Sequence, residues 1–328
     1  MLIMGEVQTG LLRNLGELGE PKCREVLGLV SGEEPRTSMR PLPYAISPEQ
    51  FTGVDCRLPG VSGARIRGTG TVAQHAVIVG GRVLQASAYA TVVAGAADHR
   101  LPWSHYLARP GDIEVHGRPR WADMAEGFMA AEMPMDALNL SAIGGRLMAA
   151  VQESPHLDGK TPFKSTRTHL RWVLWRGEAG APPLLLTLGK GSLRTLRLTG
   201  EPATDVTAFC EDLALHDWLL TTIQAIIQRA LIGTAAPSQI AARLAPAIDH
   251  LMHLWMPGAR VPDSYQHLWK ELERRPGFSR QWASSVTRIR DQIAVNTLSL
   301  LSAAVMTESG HEPDGDISPH RGASQDDP

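Results

Sequence analysis

Two pairs of residues stand out for their chemistry. Asp212 and His216 are spaced i, i+4, and Asp249 and His253 repeat that spacing further along, with His250 beside the second pair. On a helix, residues four apart project from one face, so two such helices could offer four ligands to one cation. The helical phase opposes this. His216 falls with Leu213 and Leu220 near an apolar stripe, whereas His250 and His253 fall on the side of Arg243, away from Ile248 and Leu251. The pairs converge only if Pro246 rotates the second helix. The expectation is a hydrogen-bonded, partly buried His216, two surface histidines and no metal centre.

The chain has three cysteines, Cys23, Cys56 and Cys210, which excludes a disulfide scaffold and a CxxC zinc ribbon. Cys210 and His216 are six apart, so on a helix they point about 120° away from one another and cannot pair as nucleophile and base. Cys56 falls in a loop-like segment beside Arg57, which could lower its pKa. Gly68-Thr69-Gly70 and Gly189-Lys190-Gly191-Ser192 carry fragments of phosphate-binding patterns. Neither precedes a helix, so both read as turns. There is no serine-hydrolase elbow, no HExxH and no spaced acid pair of glycosidase type. No catalytic residue and no cofactor is expected.

Charge is more informative. Between 160 and 200 stand Lys160, Lys164, Arg167, Arg171, Arg176, Lys190, Arg194 and Arg197, against Glu178 alone. Trp172 and Trp175 lie among them, so a sheet carrying these residues could bind a phosphate backbone and stack a base. The alternation is imperfect, and a solvated face is the favoured reading. Arg274, Arg275 and Arg280 surround the start of a long helix, with Ser279 placed as its N-cap and Trp282 one turn on. The dipole and the guanidinium groups both favour an anion or an acidic partner segment there. Arginine–carboxylate pairs within the chain, for example to Glu271 or Asp291, are the favoured reading, and anion recognition is the alternative.

The elements that must position these residues follow from period and punctuation. Strand patterns cover Leu2–Val7, Asp112–His116, Thr168–Trp175, Leu184–Leu188 and Ser192–Leu198, with Leu42–Ile46 a proline-broken edge strand. Ala64–Val79 and Arg82–Val93 form a hairpin about Gly80-Gly81, since a two-residue turn needs positive φ. Gly189-Lys190-Gly191 joins a second hairpin. Helical spacing covers Pro21–Val30, Trp121–Ala131, Ser141–Gln152, Asp205–Leu231, Ser238–Trp255, Pro262–Arg274 and Ser279–Ala304. The result is an α+β protein: a β-rich unit over 1–200, a helical unit over 201–306 and a disordered acidic tail over 307–328.

Four stretches together resemble a known group of proteins: Leu101-Pro102-Trp103-Ser104-His105-Tyr106-Leu107; Phe209-Cys210-Glu211-Asp212 through His216-Asp217-Trp218-Leu219-Leu220; His253-Leu254-Trp255-Met256-Pro257-Gly258; and Arg274-Arg275-Pro276-Gly277-Phe278-Ser279-Arg280-Gln281-Trp282. They resemble an uncharacterised actinobacterial protein family whose genes neighbour those of a variant P-loop protein and a predicted S-adenosylmethionine-dependent methyltransferase. The likeness runs from about residue 2 to about 304. It implies a cytosolic member of a multi-protein system and brings no catalytic residues.

Lys and Arg number 32 against 34 acids in 328 residues, so the net charge of -2 implies no global polyelectrolyte role. The longest uncharged stretch, Gln292 to Thr307, is too short and too polar to span a bilayer. The N-terminus has no secretory pattern. The expectation is a cytoplasmic, non-enzymatic interaction or adaptor protein, anchored by tryptophans such as Trp103, Trp121, Trp255 and Trp282. The alternative is a nucleic-acid or nucleotide-phosphate binder using residues 160–200 or the Arg274–Arg280 turn.

Overall fold

The computed structural model describes residues 1–62, 66–95, 97, 99–130, 136–177, 180–189, 191–201, 205–232 and 234–309. Lys190, Glu178 and residues 310–328 of the expected tail lie outside the described residues; 307–309, expected to begin that tail, instead continue the last helix. The fold is α+β, built on one mixed sheet of ten strands.

β1 (Leu2–Leu11) is buried along its whole length and forms the centre of the sheet. It pairs antiparallel with β6 (Val83–Ala94) on one side and β8 (Thr168–Trp175) on the other. The two β segments of the sequence therefore share one sheet. β5 (Arg67–Val79) and β6 form the expected hairpin, with Gly80 at φ 54° and Gly81 at φ 57° in the turn. Beyond Ala73 and Tyr89 the two strands part, and β7 (Asp112–His116) enters between them, antiparallel to β5 and parallel to β6. The far edge of β5 carries β4 (Gln50–Arg57) and β3 (Tyr44–Ile46), and β2 (Arg36–Ser38) closes that side. On the other flank β10 (Leu193–Thr199) pairs parallel to β8, and β9 (Leu184–Leu188) closes the sheet antiparallel to β10.

The fork explains a correction. Gly68-Thr69-Gly70 is not a turn but part of β5. A Cβ on Gly70 would overlap the Asp112 carbonyl, and one on Gly68 would stand 2.7 Å from Ile113 Cγ2. The glycines serve the close approach of β7. Cys56 likewise lies in a strand, β4, rather than a loop. Burial, with Asp55 adding to it, pushes its thiol up to about 11, the opposite of the activation by arginine that the sequence suggested.

One face of the sheet is covered by α1 (Glu20–Leu27), α3 (Trp121–Met129) and α4 (Leu140–Gln152), which bury Met4, Ala86, Ala88 and Val173. Asn139 caps α4 by accepting from the Ala142 N–H at 2.9 Å. The other face carries α5 (Val206–Arg229), whose apolar stripe of Phe209, Leu213, Leu220 and Ile223 is buried against Val7, Trp172, Leu196 and Leu198. The same apolar cluster continues into α6 (Pro237–His250), α7 (Gln266–Arg274) and α8 (Phe278–Ser309). A short helix, α2 (Trp103–Leu107), and strands β2 and β4 were not legible from period alone. α8 begins at Phe278, so Ser279 lies inside the first turn and is not the N-cap. Among the described residues no helix is long and apolar enough to cross a membrane.

Candidate functional site

The face beneath α5 carries a row of polar side chains. In β6, Gln85, Ser87 and Tyr89 alternate with Ala86 and Ala88, so the strand turns its polar positions toward α5 and its alanines toward α4. His75 on β5 stands opposite Ser87 in the register. Glu211, one turn and a half into α5, descends into this row. Its Oε1 accepts from His75 Nε2 at 2.5 Å and from Ser87 Oγ at 2.6 Å. Its Oε2 accepts from Arg260 at 2.5 Å, and its backbone oxygen accepts from the Gln85 side chain at 2.8 Å. Arg260 also donates to Gln85 Oε1 at 3.1 Å and lies over the Tyr44 ring. Burial alone would raise the Glu211 carboxyl, but the charges of His75 and Arg260 and the bonds from His75 and Ser87 outweigh it, holding the pKa at about 2. The set is not a nucleophile relay. Ser87 and His75 donate to the same oxygen, so the imidazole does not receive the serine proton.

This network forms the floor of a cleft of about 610 Å³ between the sheet and the first two turns of α5. Tyr89, Phe51, Asp112 and Thr207 stand on its walls. The Tyr89 hydroxyl donates to Glu49.

A second concavity, of about 660 Å³, lies at the opposite flank of α5. One wall is β9 with the preceding Pro182 and Pro183; the other is the turn from α7 to α8, with Arg274, Arg275 and Phe278. At its floor Arg194 meets Asp217 at 3.1 Å. Leu185 and Leu188 of β9 are 49% and 66% exposed, and no strand pairs with the outer edge of β9 among the described residues.

The structure scatters the basic residues of 160–200. Arg171 is buried, donating to Glu6 and to the carbonyls of Phe128 and Ala130 on the α3 side. Arg197 shares that side, over the Trp175 ring. Arg194 faces α5 instead. Arg176 pairs with Glu201 at 2.9 Å. Arg167 donates to Gln8 at 3.3 Å, and Lys164 is exposed on the connection before β8. They form no single surface.

The start of α8 is occupied from within. Ser279 donates through its N–H and its hydroxyl to the Glu273 carboxylate at 3.1 and 2.8 Å. Arg274 pairs with Glu271, and Arg280 donates to the Arg274 carbonyl. Arg275 is exposed into the groove. Trp282 is buried, stacked on Trp255 with ring centres 4.4 Å apart.

Asp212 and His216 do share one helix face, and both are sealed from solvent. Asp212 accepts from the Gly258 N–H, and His216 Nδ1 donates to the Asp212 carbonyl. Trp255 and Trp269 close over the imidazole edge-on. Asp249 and His253 are exposed elsewhere, and His250 stacks on Phe163. No group of metal-binding side chains occurs among the described residues. Cys210 is fully buried, and burial pushes its thiol well up.

Sequence reasoning missed the Glu211 network. One signal was available: Gln85, Ser87 and Tyr89 at alternate positions of an otherwise apolar strand mark a polar row on one face.

No protein-family model, no curated protein and no solved structure matches the chain.

Proposed function

We propose that this is a non-enzymatic interaction protein of a cytosolic multi-protein assembly, and that it receives an extended segment of a partner protein along the outer edge of β9. One observation carries the reading. β9 ends the sheet with its backbone edge unpaired among the described residues and with Leu185 and Leu188 exposed. Proteins usually blunt such edges with charge, proline or a covering element, because an open apolar edge recruits another strand. Here the edge opens into a groove rather than onto a covering helix. An added strand would extend the β8–β10–β9 ladder, and its alternate side chains would enter the groove between Leu186 and Phe278. Arg275 at the rim, with no carboxylate partner among the described residues, suits an acidic residue in that segment.

The distal half of α8 adds a second apolar surface. Val295, Leu298 and Leu301 are all more than half exposed. The variant P-loop protein and the methyltransferase suggested by the family resemblance are the first partners to try.

The test places a photo-crosslinking residue at Leu188, and a control at the exposed Leu107 of α2, in native cells. A discrete polypeptide captured from position 188 and not from 107 supports the reading, the more so if Leu186→Glu abolishes it. Capture of nucleic acid instead, weakening steeply with salt, would replace it with phosphate-backbone binding.

A further inference from the structure

The cleft over the Glu211 network has a charge imbalance of its own. Glu211 is fully matched by Arg260 and His75. Three further carboxylates line the cleft, Glu49, Asp112 and Asp205, and none makes an ion pair among the described residues. Glu49 accepts from Tyr89, and Asp205 accepts from Ser264 at 2.7 Å. Asp112 makes no side-chain hydrogen bond among the described residues. It is partly buried, and that burial raises its carboxyl above the ordinary range against the opposing charge of Arg109, itself paired with Glu114. Against these stands one unpaired cation, Arg36, exposed at the rim. The positive end of α5 also points here, with Asp205 at its N-cap to offset it.

One buried polar group in the same place has no partner among the described residues, and His75, 7% exposed, lines the cleft with Nε2 tied to Glu211. Thr207 is 5% exposed, lines the cleft and has a buried hydroxyl with no partner among the described residues. Beside them lie the Tyr89 ring, edge-on to His75, and the exposed Phe51 ring.

We infer that this cleft binds a small organic cation: a protonated amine on a flat apolar body. The ammonium pairs with Asp112, the Thr207 hydroxyl offers it an acceptor, and the body lies against Tyr89 and Phe51, whose π-faces also attract a cation. The volume of about 610 Å³ is in the range of small-molecule sites.

The probes are tyramine, which is such a cation, 4-ethylphenol, which lacks the amine, and 3-(4-hydroxyphenyl)propanoate, which reverses the charge. Binding is read by NMR titration of the full chain. Tyramine should shift resonances of His75, Tyr89 and Thr207 and bind at least about fivefold more tightly than either comparator, as one partly exposed ion pair allows. Asp112→Asn removes the charge without breaking a bond, so it should fold normally and weaken tyramine about fivefold. Thr207→Val should weaken tyramine and leave the far face undisturbed. Equal binding of the propanoate, no titratable shift with tyramine, or unchanged tyramine affinity in Asp112→Asn would each overturn the inference. Crosslinking at Leu188 is independent of all three.

Discussion

His75 and Glu211 stand 136 residues apart in the chain and meet with 2.5 Å between imidazole Nε2 and carboxylate Oε1. That contact joins the sheet to α5. Arg260 completes it from the loop after α6, so three separate stretches of chain meet at one carboxylate.

Removing the charge should be costly. Glu211→Gln leaves Arg260 buried without its counter-ion, and breaking one side of such a pair costs about 3–5 kcal/mol. Urea unfolding should show a lower midpoint with an unchanged slope. A loss under about 1 kcal/mol would mean that Arg260 finds water instead.

The same residue sets an acid limit. Glu211 titrates at about 2 in the folded chain against an ordinary 4.5, so the unfolded state binds its proton first. Its contribution is present above pH 4.5 and is lost as pH falls from 4.5 through about 2. The slope in that window should be shallower in Glu211→Gln, measured by unfolding at a series of pH values. Identical slopes would assign the acid sensitivity to other carboxylates.

At the start of α8, Glu273 holds the place an external anion would take. Glu273→Ala should cost about 1 kcal/mol by freeing the Ser279 N–H in the first turn. Added phosphate should restore part of that loss in the variant and stabilise the wild type less. If phosphate stabilises both alike, the site binds anions with the carboxylate in place.

Trp282 packs flat on Trp255 inside the helical layer. Trp282→Ala should cost about 3–5 kcal/mol, the range for emptying a buried aromatic site. The matched measurement is crosslinking at Leu188 under conditions where the variant remains folded. Capture should survive, because the indole supports the core and is not part of the groove lining.

Arg171→Ala should behave as a core lesion. The guanidinium caps two carbonyls at the end of α3 and neutralises Glu6, whose carboxyl burial would raise but His169 and Arg171 hold below the ordinary range. A drop in stability with no change in polyanion retention is expected. The reverse result would return the 160–200 segment to consideration as a nucleic-acid surface.

Much of the fold was legible because period is local. The β-rich apolar run of Thr168–Trp175 and the three-four spacing of Phe209, Leu213, Leu220 and Ile223 are each written within a short stretch of chain. Gly80-Gly81 names its own turn through positive φ. β4 escaped because its Gly53 and Asp55 break the strand composition, and its pairing with β5 supplies what propensity lacks. The N-cap was misplaced by two residues because Gly277, at φ 81°, and not Ser279 turns the chain into α8.

By itself the sequence determined the element types and most of their bounds, since each of these depends on residues a few positions apart. Only the tertiary structure decided that both β segments join through β1, that Arg171 and Arg194 point to opposite faces, and that Glu211 meets His75. Strand order and buried charge pairing are contacts between distant parts of the chain. A side chain's partner across a sheet leaves no periodic mark on its own neighbours.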